Sequence, residues 1–184
     1  IMSSDWSSDV CSSDLEDYMY LLQRLAEGEP VAYLTGQREF WSLVLQVNRA
    51  TLIPRPETET LVAAALALPL PAGARVADWG TGSGAIALAL KSERCDWQVV
   101  ASDCAPEALA VAHENARSLS LDVSTVLSNW GAAFADEALD LLVSNPPYIP
   151  EGDPHLAARG LRFEPLSALV ADKSGLADIE RIVA

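Results

Sequence analysis

The segment Asn145, Pro146, Pro147 and Tyr148 combines residue types that point to chemistry on nitrogen. Two consecutive prolines fix the backbone φ angle and remove both amide N–H donors, so the segment offers carbonyl oxygens beside the Asn145 side chain. The Asn145 amide oxygen and the Pro146 carbonyl can each accept one hydrogen from a planar NH₂ group, while Tyr148 packs against its π system. Such a nitrogen is a poor nucleophile, so it must be held within roughly 3 to 3.5 Å of an electrophile. We predict that this segment orients an amide or aromatic amine for transfer chemistry.

A second candidate site is the glycine-rich stretch between Val76 and Leu90. The stretch begins with apolar residues and ends with an apolar run of helical type. Between them stand three alternate glycines, Gly80, Gly82 and Gly84. This order predicts a strand, a tight loop and a helix. Glycines without a Cβ let backbone N–H groups approach a ligand at a helix N-terminus. No Gly-Lys-Ser/Thr follows, and the spacing differs from Gly-x-Gly-x-x-Gly, which argues against a P-loop and a dinucleotide fingerprint.

An acidic residue stands where a ribose-binding group is expected. Gln98 to Ser102 predicts a second strand, and Asp103 follows it, 103 − 84 = 19 residues after the last glycine. In doubly wound folds such a residue hydrogen-bonds the ribose 2′-OH. An adenosine-type ligand beside an oriented NH₂ group implies methyl transfer from S-adenosylmethionine, whose positive sulfur would lie near Trp130 and Tyr148.

The elements around these residues alternate between strand and helix. Apolar runs predict further strands at Val123 to Leu127 and at Leu139 to Val143, the last one buried, and a helix begins at Pro106. This order predicts an α/β doubly wound parallel sheet, with ligands beyond the carboxyl ends of its strands. The helix from Pro106 is expected to face inward with Ala108, Val111, Ala112 and Leu119.

The amino-terminal part differs from this pattern. Residues 1–15 repeat Ser-Ser-Asp three times and resemble a cloning scar, so they are set aside. Apolar spacing from Tyr18 predicts a helix closed by Gly28 and Pro30. Residues 40–47 predict a short β-hairpin, and a further helix follows the proline-rich residues 52–59.

Composition narrows the function classes. The chain has 184 residues, half of them hydrophobic, and 12 basic against 26 acidic residues give a net charge of −14. This charge disfavours direct nucleic-acid binding. No apolar run reaches the roughly 18 residues of a membrane span, and the three cysteines have no metal-ligand spacing. We expect a cytoplasmic monomer with no bound metal and no membrane contact.

The motif Asp-x-Gly-x-Gly-x-Gly at residues 78–84, together with Asn-Pro-Pro-Tyr at residues 145–148, resembles class I S-adenosylmethionine-dependent methyltransferases acting on amino or amide nitrogen. Residues 34–43, 52–59 (Leu-Ile-Pro-Arg-Pro-Glu-Thr-Glu) and 162–166 (Arg-Phe-Glu-Pro-Leu) resemble the release factor glutamine methyltransferases more specifically. The resemblance covers residues 18–184. The sequence differs from the family at Asn129, since the family commonly has Asp before the tryptophan that corresponds to Trp130.

This resemblance implies a Rossmann-like fold and methylation of the glutamine amide in the Gly-Gly-Gln motif of peptide chain release factors. It implies a catalytic role for Asn145, Pro146 and Tyr148, and a glutamine site formed by Asn145, Pro146, Pro147 and Tyr148. It also implies that S-adenosylmethionine contacts Gly80, Thr81, Gly82, Ser83, Gly84, Asp103, Trp130 and Asn145.

The resemblance further divides the chain. Residues 16–36 would be the remnant of an amino-terminal helical substrate-binding domain, residues 37–54 a β-hairpin linker, and residues 55–184 a methyltransferase domain that lacks its last strands. Because of that expected truncation, an inactive cofactor-binding fragment is one alternative function. A ribosomal-protein glutamine methyltransferase and a DNA adenine N6 methylase are the others.

Structural roles remain open for the same residues. The glycine loop could be a plain strand-to-helix turn, and Asp103 could only cap the helix that begins at Pro106. Trp130 could be an ordinary core residue, and residues 145–148 could be a turn. Arg55, Glu57 and Glu59 are expected to fix the start of the following helix rather than to take part in chemistry.

Overall fold

The computed structural model describes residues 12–158 and 160–184. Its strands are β1 (Gln37–Phe40), β2 (Leu43–Gln46), β3 (Arg75–Trp79), β4 (Gln98–Asp103), β5 (Val123–Leu127), β6 (Leu141–Ser144), β7 (Ile149–Pro150) and β8 (Val170–Ala171). Its helices are α1 (Ser12–Ala26), α2 (Val31–Thr35), α3 (Glu59–Leu66), α4 (Ala85–Glu93), α5 (Pro106–Ser118), α6 (Asp172–Gly175) and α7 (Ala177–Val183). Of the repeated Ser-Ser-Asp segment, residues 1–11 lie outside this description.

The central sheet has the strand order β5-β4-β3-β6, and every pairing is parallel. Helix α4 connects β3 to β4, and α5 connects β4 to β5, as parallel neighbours require. The predicted α/β doubly wound sheet is therefore confirmed. Because parallel strands end at one edge, the loops after β3, β4, β5 and β6 lie side by side there.

The prediction for the fourth strand needs a correction. Strand β6 begins at Leu141 rather than Leu139, and Val143 is its only fully buried residue. In the described part of the chain it pairs with β3 alone, so one of its edges is unpaired.

The core is formed where α4 packs against the sheet. Every residue from Ala85 to Leu90 is buried, because this run is apolar all round and α3 and the sheet cover it. The predicted inner face of α5 is also buried at Ala108, Val111 and Ala112, while Leu119 follows the helix and is partly exposed.

The predicted hairpin is formed by β1 and β2, and it packs into the same core. Phe40 and Leu45 are 2% and 0% exposed. The Asn115 side chain on α5 accepts from the Gln46 amide at 2.7 Å and donates to the Gln46 carbonyl at 3.0 Å. The hairpin is thus fixed to the sheet by apolar burial and by a paired amide.

A charged cluster fixes α1 to the segment that follows it. Helix α1 contains the predicted apolar spacing and begins at Ser12, six residues before Tyr18. Beyond its end, the buried Glu29 carboxylate accepts from Arg24 at 2.7 Å and from Arg49 at 2.9 Å. The hydrogen bond from Arg24 is the main reason that the pKa of Glu29 falls to about 2.

A small parallel sheet was not anticipated. Strands β7 and β8 pair after the Asn-Pro-Pro-Tyr segment, and the Ile149 amide donates to the Leu169 carbonyl at 2.9 Å.

Within the described residues, no helix is long and apolar enough to span a bilayer.

Candidate functional site

The glycine loop joins β3 to α4, and all three of its glycines have left-handed backbones. Their φ angles are 72° at Gly80, 57° at Gly82 and 85° at Gly84, a region that other residues rarely adopt. A Cβ on Gly84 would also lie 3.0 Å from Leu88 Cδ1 and 3.2 Å from Ala112 Cβ. The loop therefore needs glycine for both its turn and its close packing.

Asp103, at the end of β4, holds this loop in place. One of its carboxylate oxygens accepts from the Gly82 amide at 2.9 Å, and the other accepts from the Ala105 amide at 3.0 Å. The second contact supports the turn that leads into α5, whose N-cap residue is Ala105 and which has no side-chain capping hydrogen bond. Each carboxylate oxygen has two lone pairs, so both can still accept from a ligand hydroxyl.

Trp130 follows β5 and stands against the glycine loop. A Cβ on Gly80 would lie 3.3 Å from Trp130 Cζ3, which brings the indole against the loop backbone. The left-handed φ of 50° at Trp130 is held by Ser128, whose hydroxyl donates to the Trp130 carbonyl at 2.8 Å. Trp130 is half-buried rather than a core residue.

Asn145 follows β6, and its side chain is available to a ligand. Within residues 12–158 and 160–184 the Asn145 amide has no hydrogen-bond partner, although the residue is half-buried. The preceding Ser144 hydroxyl donates to the Trp79 carbonyl at 2.7 Å and so fixes the end of β6 beside β3. Tyr148, three residues further on, is 63% exposed.

Two clefts meet at Asn145. The first, of about 220 Å³, lies along the carboxyl edge of the sheet, and its lining includes Gly80, Gly82, Asp103, Trp130, Asn145 and Pro147. The second is lined by Leu52, Arg55, Glu57, Thr58, Leu61, Asn145, Pro146, Tyr148, Ile149, Leu161, Ala168 and Leu169. Asn145 thus faces both, together with Leu52 and Ala168. A group bound in one cleft can meet a group bound in the other at this side chain.

The chemistry of the first cleft fits an adenosine. Asp103 offers acceptors for ribose hydroxyls, Trp130 offers an aromatic face, and Gly80 and Gly82 of the glycine loop line the same cleft. Among the described residues there is no cluster of His, Cys, Asp and Glu that could hold a metal ion.

Three predicted donor-binding residues lie beneath the loop rather than on the cleft wall. Thr81 is buried and donates to Asp78 Oδ2 at 2.6 Å. Ser83 is buried, and its carbonyl accepts from the Asn115 side chain at 2.9 Å. Gly84 packs against α4 and α5, so these residues shape the loop, and their direct contact with a donor remains a prediction.

Comparison with known proteins identifies the fold family. A family model described as "Methyltransferase small domain" matches residues 58–159, more than half of the chain. The chain belongs to the methyltransferase small domain family. The catalytic domain of hMettl16 shares the fold of this family member, with a TM-score of 0.55, 18% identity, and coverage of 78% of this chain and 56% of that one.

Two curated relatives of this methyltransferase small domain protein are named release factor glutamine methyltransferase. The Salmonella typhimurium protein is 53% identical over 96% of this chain and 63% of its own length. The Escherichia coli K12 protein is 53% identical over 89% of this chain and 59% of its own length. The resemblance found in the sequence is confirmed, and the chain spans about 60% of the length of these relatives.

The structure also joins two motifs that the sequence could only list separately. Glu164 is 5% exposed; it forms an ion pair with Arg55 and accepts from the Ile53 amide at 3.1 Å. This pairing ties residues 162–166 to residues 52–59 behind the second cleft. Arg55 therefore fixes the chain in two ways. Its guanidinium pairs with a carboxylate 109 residues away, and its carbonyl accepts from the Thr58 amide at 3.0 Å at the start of the turn that leads into α3.

Sequence reasoning missed several residues that line the first cleft. Cys104 follows Asp103 directly, so the ligand role assigned to Asp103 could have suggested it. Asp178 and Arg181 reach the cleft from α7, and no motif marks them. Their place in a short helix does not indicate which part of the fold that helix covers.

Asp78 lies beneath the glycine loop, and its burial changes the pKa of its carboxyl group. It is fully buried; Oδ2 accepts from Thr81 and from the Ala87 amide at 3.2 Å, whereas Oδ1 has no partner among the described residues. Burial, and to a smaller extent the Asp103 charge, raises the pKa of Asp78 to about 7 from an ordinary value of 3.8.

Stability is expected to fall as the pH rises from about 4 through 7, because folded Asp78 keeps a proton that the unfolded chain releases. Asp78→Asn, which cannot ionise, is expected to flatten this dependence. Urea unfolding of both proteins at pH 5, 6, 7 and 8 measures the effect. The same slope in the variant as in the parent would show that Asp78 does not titrate in this range.

Proposed function

We propose that this protein methylates the side-chain amide nitrogen of the glutamine in the Gly-Gly-Gln motif of peptide chain release factors, with S-adenosylmethionine as methyl donor. The curated relatives at 53% identity support the reaction and substrate. Because the proposed substrate acts in translation, the proposal places the protein in the cytoplasm. In this proposal, residues 16–36 help to dock the substrate and residues 37–54 link them to the catalytic domain. Residues 55–184 form the domain that transfers the methyl group.

The observation that supports this proposal most is that Asn145 faces both clefts with a side-chain amide that has no hydrogen-bond partner among residues 12–158 and 160–184. An acceptor at that junction can bind the NH₂ group of a glutamine in the second cleft while its nitrogen faces the first. The two prolines that follow Asn145 have no N–H to offer, so the loop presents acceptors to the substrate. This arrangement suits an amide nitrogen, which has two hydrogens to donate and a lone pair to direct.

The residues of this chain would act mainly by orientation. When bound, S-adenosylmethionine supplies a methyl carbon made electrophilic by the positive sulfur. Asn145 Oδ1 and the Pro146 carbonyl each accept one N–H of the glutamine, which directs the nitrogen lone pair toward the first cleft. The Tyr148 ring packs against the flat amide. Asn145 and Pro146 would hold the glutamine nitrogen at the junction of the two clefts, where a bound donor would supply the methyl group.

The charge of the chain supports a protein substrate over a nucleic acid. A net charge of −14 repels a phosphate backbone, whereas a polypeptide loop such as Gly-Gly-Gln carries no such charge. The second cleft also includes both Arg55 and Glu57 in its lining, so it is not a basic groove.

The proposal is tested by incubating the protein with methyl-labelled S-adenosylmethionine and, in separate reactions, a release factor, the same factor with glutamine of Gly-Gly-Gln changed to alanine, a ribosomal-protein fraction, and adenine-containing DNA. Label in the unaltered release factor alone is the expected result. Label in DNA but not in the release factor would replace the proposal with adenine methylation, and label in the ribosomal fraction alone would replace the substrate.

Asp103→Ala is expected to raise the KM for the methyl donor about tenfold or more, with a smaller change in kcat. The substitution removes the ribose acceptor and also frees the Gly82 amide, so the loop loses its anchor. Asp103→Asn, which keeps one acceptor, should lie between the variant and the parent. Steady-state kinetics with varied donor concentration measures this, and an unchanged KM in Asp103→Ala would remove the ribose role.

A further inference from the structure

A glycine outside both clefts packs directly against the Asn-Pro-Pro-Tyr segment. Gly175, the last residue of α6, is buried and lines neither cleft. A Cβ on Gly175 would overlap the Tyr148 carbonyl oxygen, and it would lie 3.0 Å from the carbonyl carbon and 3.6 Å from Pro150 Cδ. The backbone of α6 therefore approaches this segment more closely than a residue with a side chain would allow.

The Asn-Pro-Pro-Tyr segment is anchored by hydrogen bonds at its two ends. Before it, the Ser144 hydroxyl donates to a carbonyl of β3 at 2.7 Å. After it, the Ile149 amide donates to the Leu169 carbonyl at 2.9 Å. Between these bonds stand two prolines, which have no N–H to donate. The place of residues 145–148 therefore depends strongly on packing, and the contact with Gly175 is part of that packing.

The residues around Gly175 are more deeply buried than the segment they touch. Ala171 in β8 and Ala177 in α7 are 3% and 7% exposed, whereas Tyr148 is 63% exposed. An added Cβ at position 175 is therefore expected to push the Tyr148 carbonyl away rather than to move the buried helix. Because each proline ring locks its φ angle, the two prolines pass this shift on to Asn145 instead of absorbing it.

We propose that Gly175 is a positioning residue for methyl transfer, which leaves room for the Tyr148 carbonyl and thereby sets the place of Asn145 at the junction of the two clefts. This inference rests on the proposed function, because it assumes that Asn145 orients the methylated nitrogen. Misplacement by about 1 Å can lower a rate about 10²-fold even when the change lies away from the chemistry. Donor binding should be affected less, since the glycine loop is held by Asp103.

Gly175→Ala is expected to lower kcat for methyl transfer to a release factor by about tenfold or more, with little change in the KM for the methyl donor. Steady-state kinetics with labelled S-adenosylmethionine measures both values, and calorimetry with S-adenosylhomocysteine checks that the variant is folded. Gly175→Asn is the second variant. Asn adopts a left-handed backbone such as the φ of 89° at Gly175 more readily than Ala does, and its Cβ meets the same carbonyl.

Gly152→Ala is the matched control. Gly152 has a similar φ of 80°, but a Cβ there would meet nothing within 4 Å. The substitution therefore carries a similar backbone cost without the collision, so the melting temperature should fall while kcat stays at the parent value. A loss of kcat in Gly152→Ala as large as in Gly175→Ala would show that backbone strain alone explains the effect, and the inference would be wrong.

A double variant distinguishes positioning of Asn145 from general damage to the fold. In the Asn145→Ala background, Gly175→Ala is expected to lower kcat by less than about twofold, because both changes act on the same acceptor. An undiminished effect in that background, or parent-level kcat in both folded Gly175 variants, would reject the inference alone. If the parent transfers no methyl group to a release factor, the proposed function itself is rejected.

Discussion

Asn145→Ala is expected to lower the rate of methyl transfer by about 10² or more, while the affinity for the methyl donor changes only a few-fold. The substitution removes an acceptor for the glutamine NH₂ group and leaves the nitrogen free to turn. A lost orienting hydrogen bond costs about 1 to 3 kcal/mol, and 1.36 kcal/mol corresponds to a factor of ten in rate. Misplacement of the glutamine nitrogen relative to the methyl donor can lower the rate further.

Single-turnover kinetics with saturating donor measures this effect separately from binding. Asn145→Asp is the matched variant, because a carboxylate of the same shape keeps the acceptor; it should retain far more activity than the alanine variant. The melting temperature of both should match the parent, since the Asn145 side chain has no hydrogen-bond partner within the described part of the chain. Full activity in Asn145→Ala would contradict the mechanism.

Glu164→Ala is expected to have the largest effect on stability. The carboxylate is buried, pairs with Arg55, and accepts from the Ile53 amide, itself in a residue that is 4% exposed. Its removal leaves a buried amide and a half-exposed guanidinium without partners, at a cost of about 3 kcal/mol. For a chain of this length that cost corresponds to a fall of about 6 to 12 °C in the melting temperature.

Thermal unfolding measures this loss, and Glu114→Ala provides the matched control. Glu114 also pairs with an arginine, Arg117, but this pair lies on the surface of α5 with 40% and 70% of the side chains exposed. Its loss should leave the melting temperature unchanged, as is typical of exposed pairs. Equal effects of the two substitutions would show that burial does not decide the strength of the Glu164 contact.

The elements that carry their own local signal could be predicted from the sequence. The glycines of residues 80–84 and the apolar runs on either side specify β3, its loop and α4, because few other conformations satisfy both. Asp103 could be placed because β4 ends there, and a parallel sheet aligns that end with the glycine loop. The part of the first cleft formed by the glycine loop and Asp103 could therefore be predicted from the sequence, because each lies at the end of a recognisable strand.

Other features depend on contacts that sequence periodicity does not show. The hairpin turns at Trp41 and Ser42, both with left-handed φ angles, where glycine or asparagine is usual. The turn is held instead by Glu59, which accepts from the Trp41 amide at 2.9 Å, and by Glu93, which accepts from the Trp41 indole at 2.9 Å. Likewise, the place of Asp178 depends on how α7 packs, and its own sequence does not determine this.

We propose that Asn145 aligns a glutamine amide in the second cleft with a methyl donor in the first. A crystal structure of the protein with S-adenosylhomocysteine and a Gly-Gly-Gln peptide tests it most directly. We predict that the glutamine nitrogen lies within hydrogen-bonding distance of Asn145 Oδ1 and the Pro146 carbonyl, facing the sulfur. A glutamine nitrogen held elsewhere, or a sulfur on the far side of the first cleft from Asn145, would contradict the account.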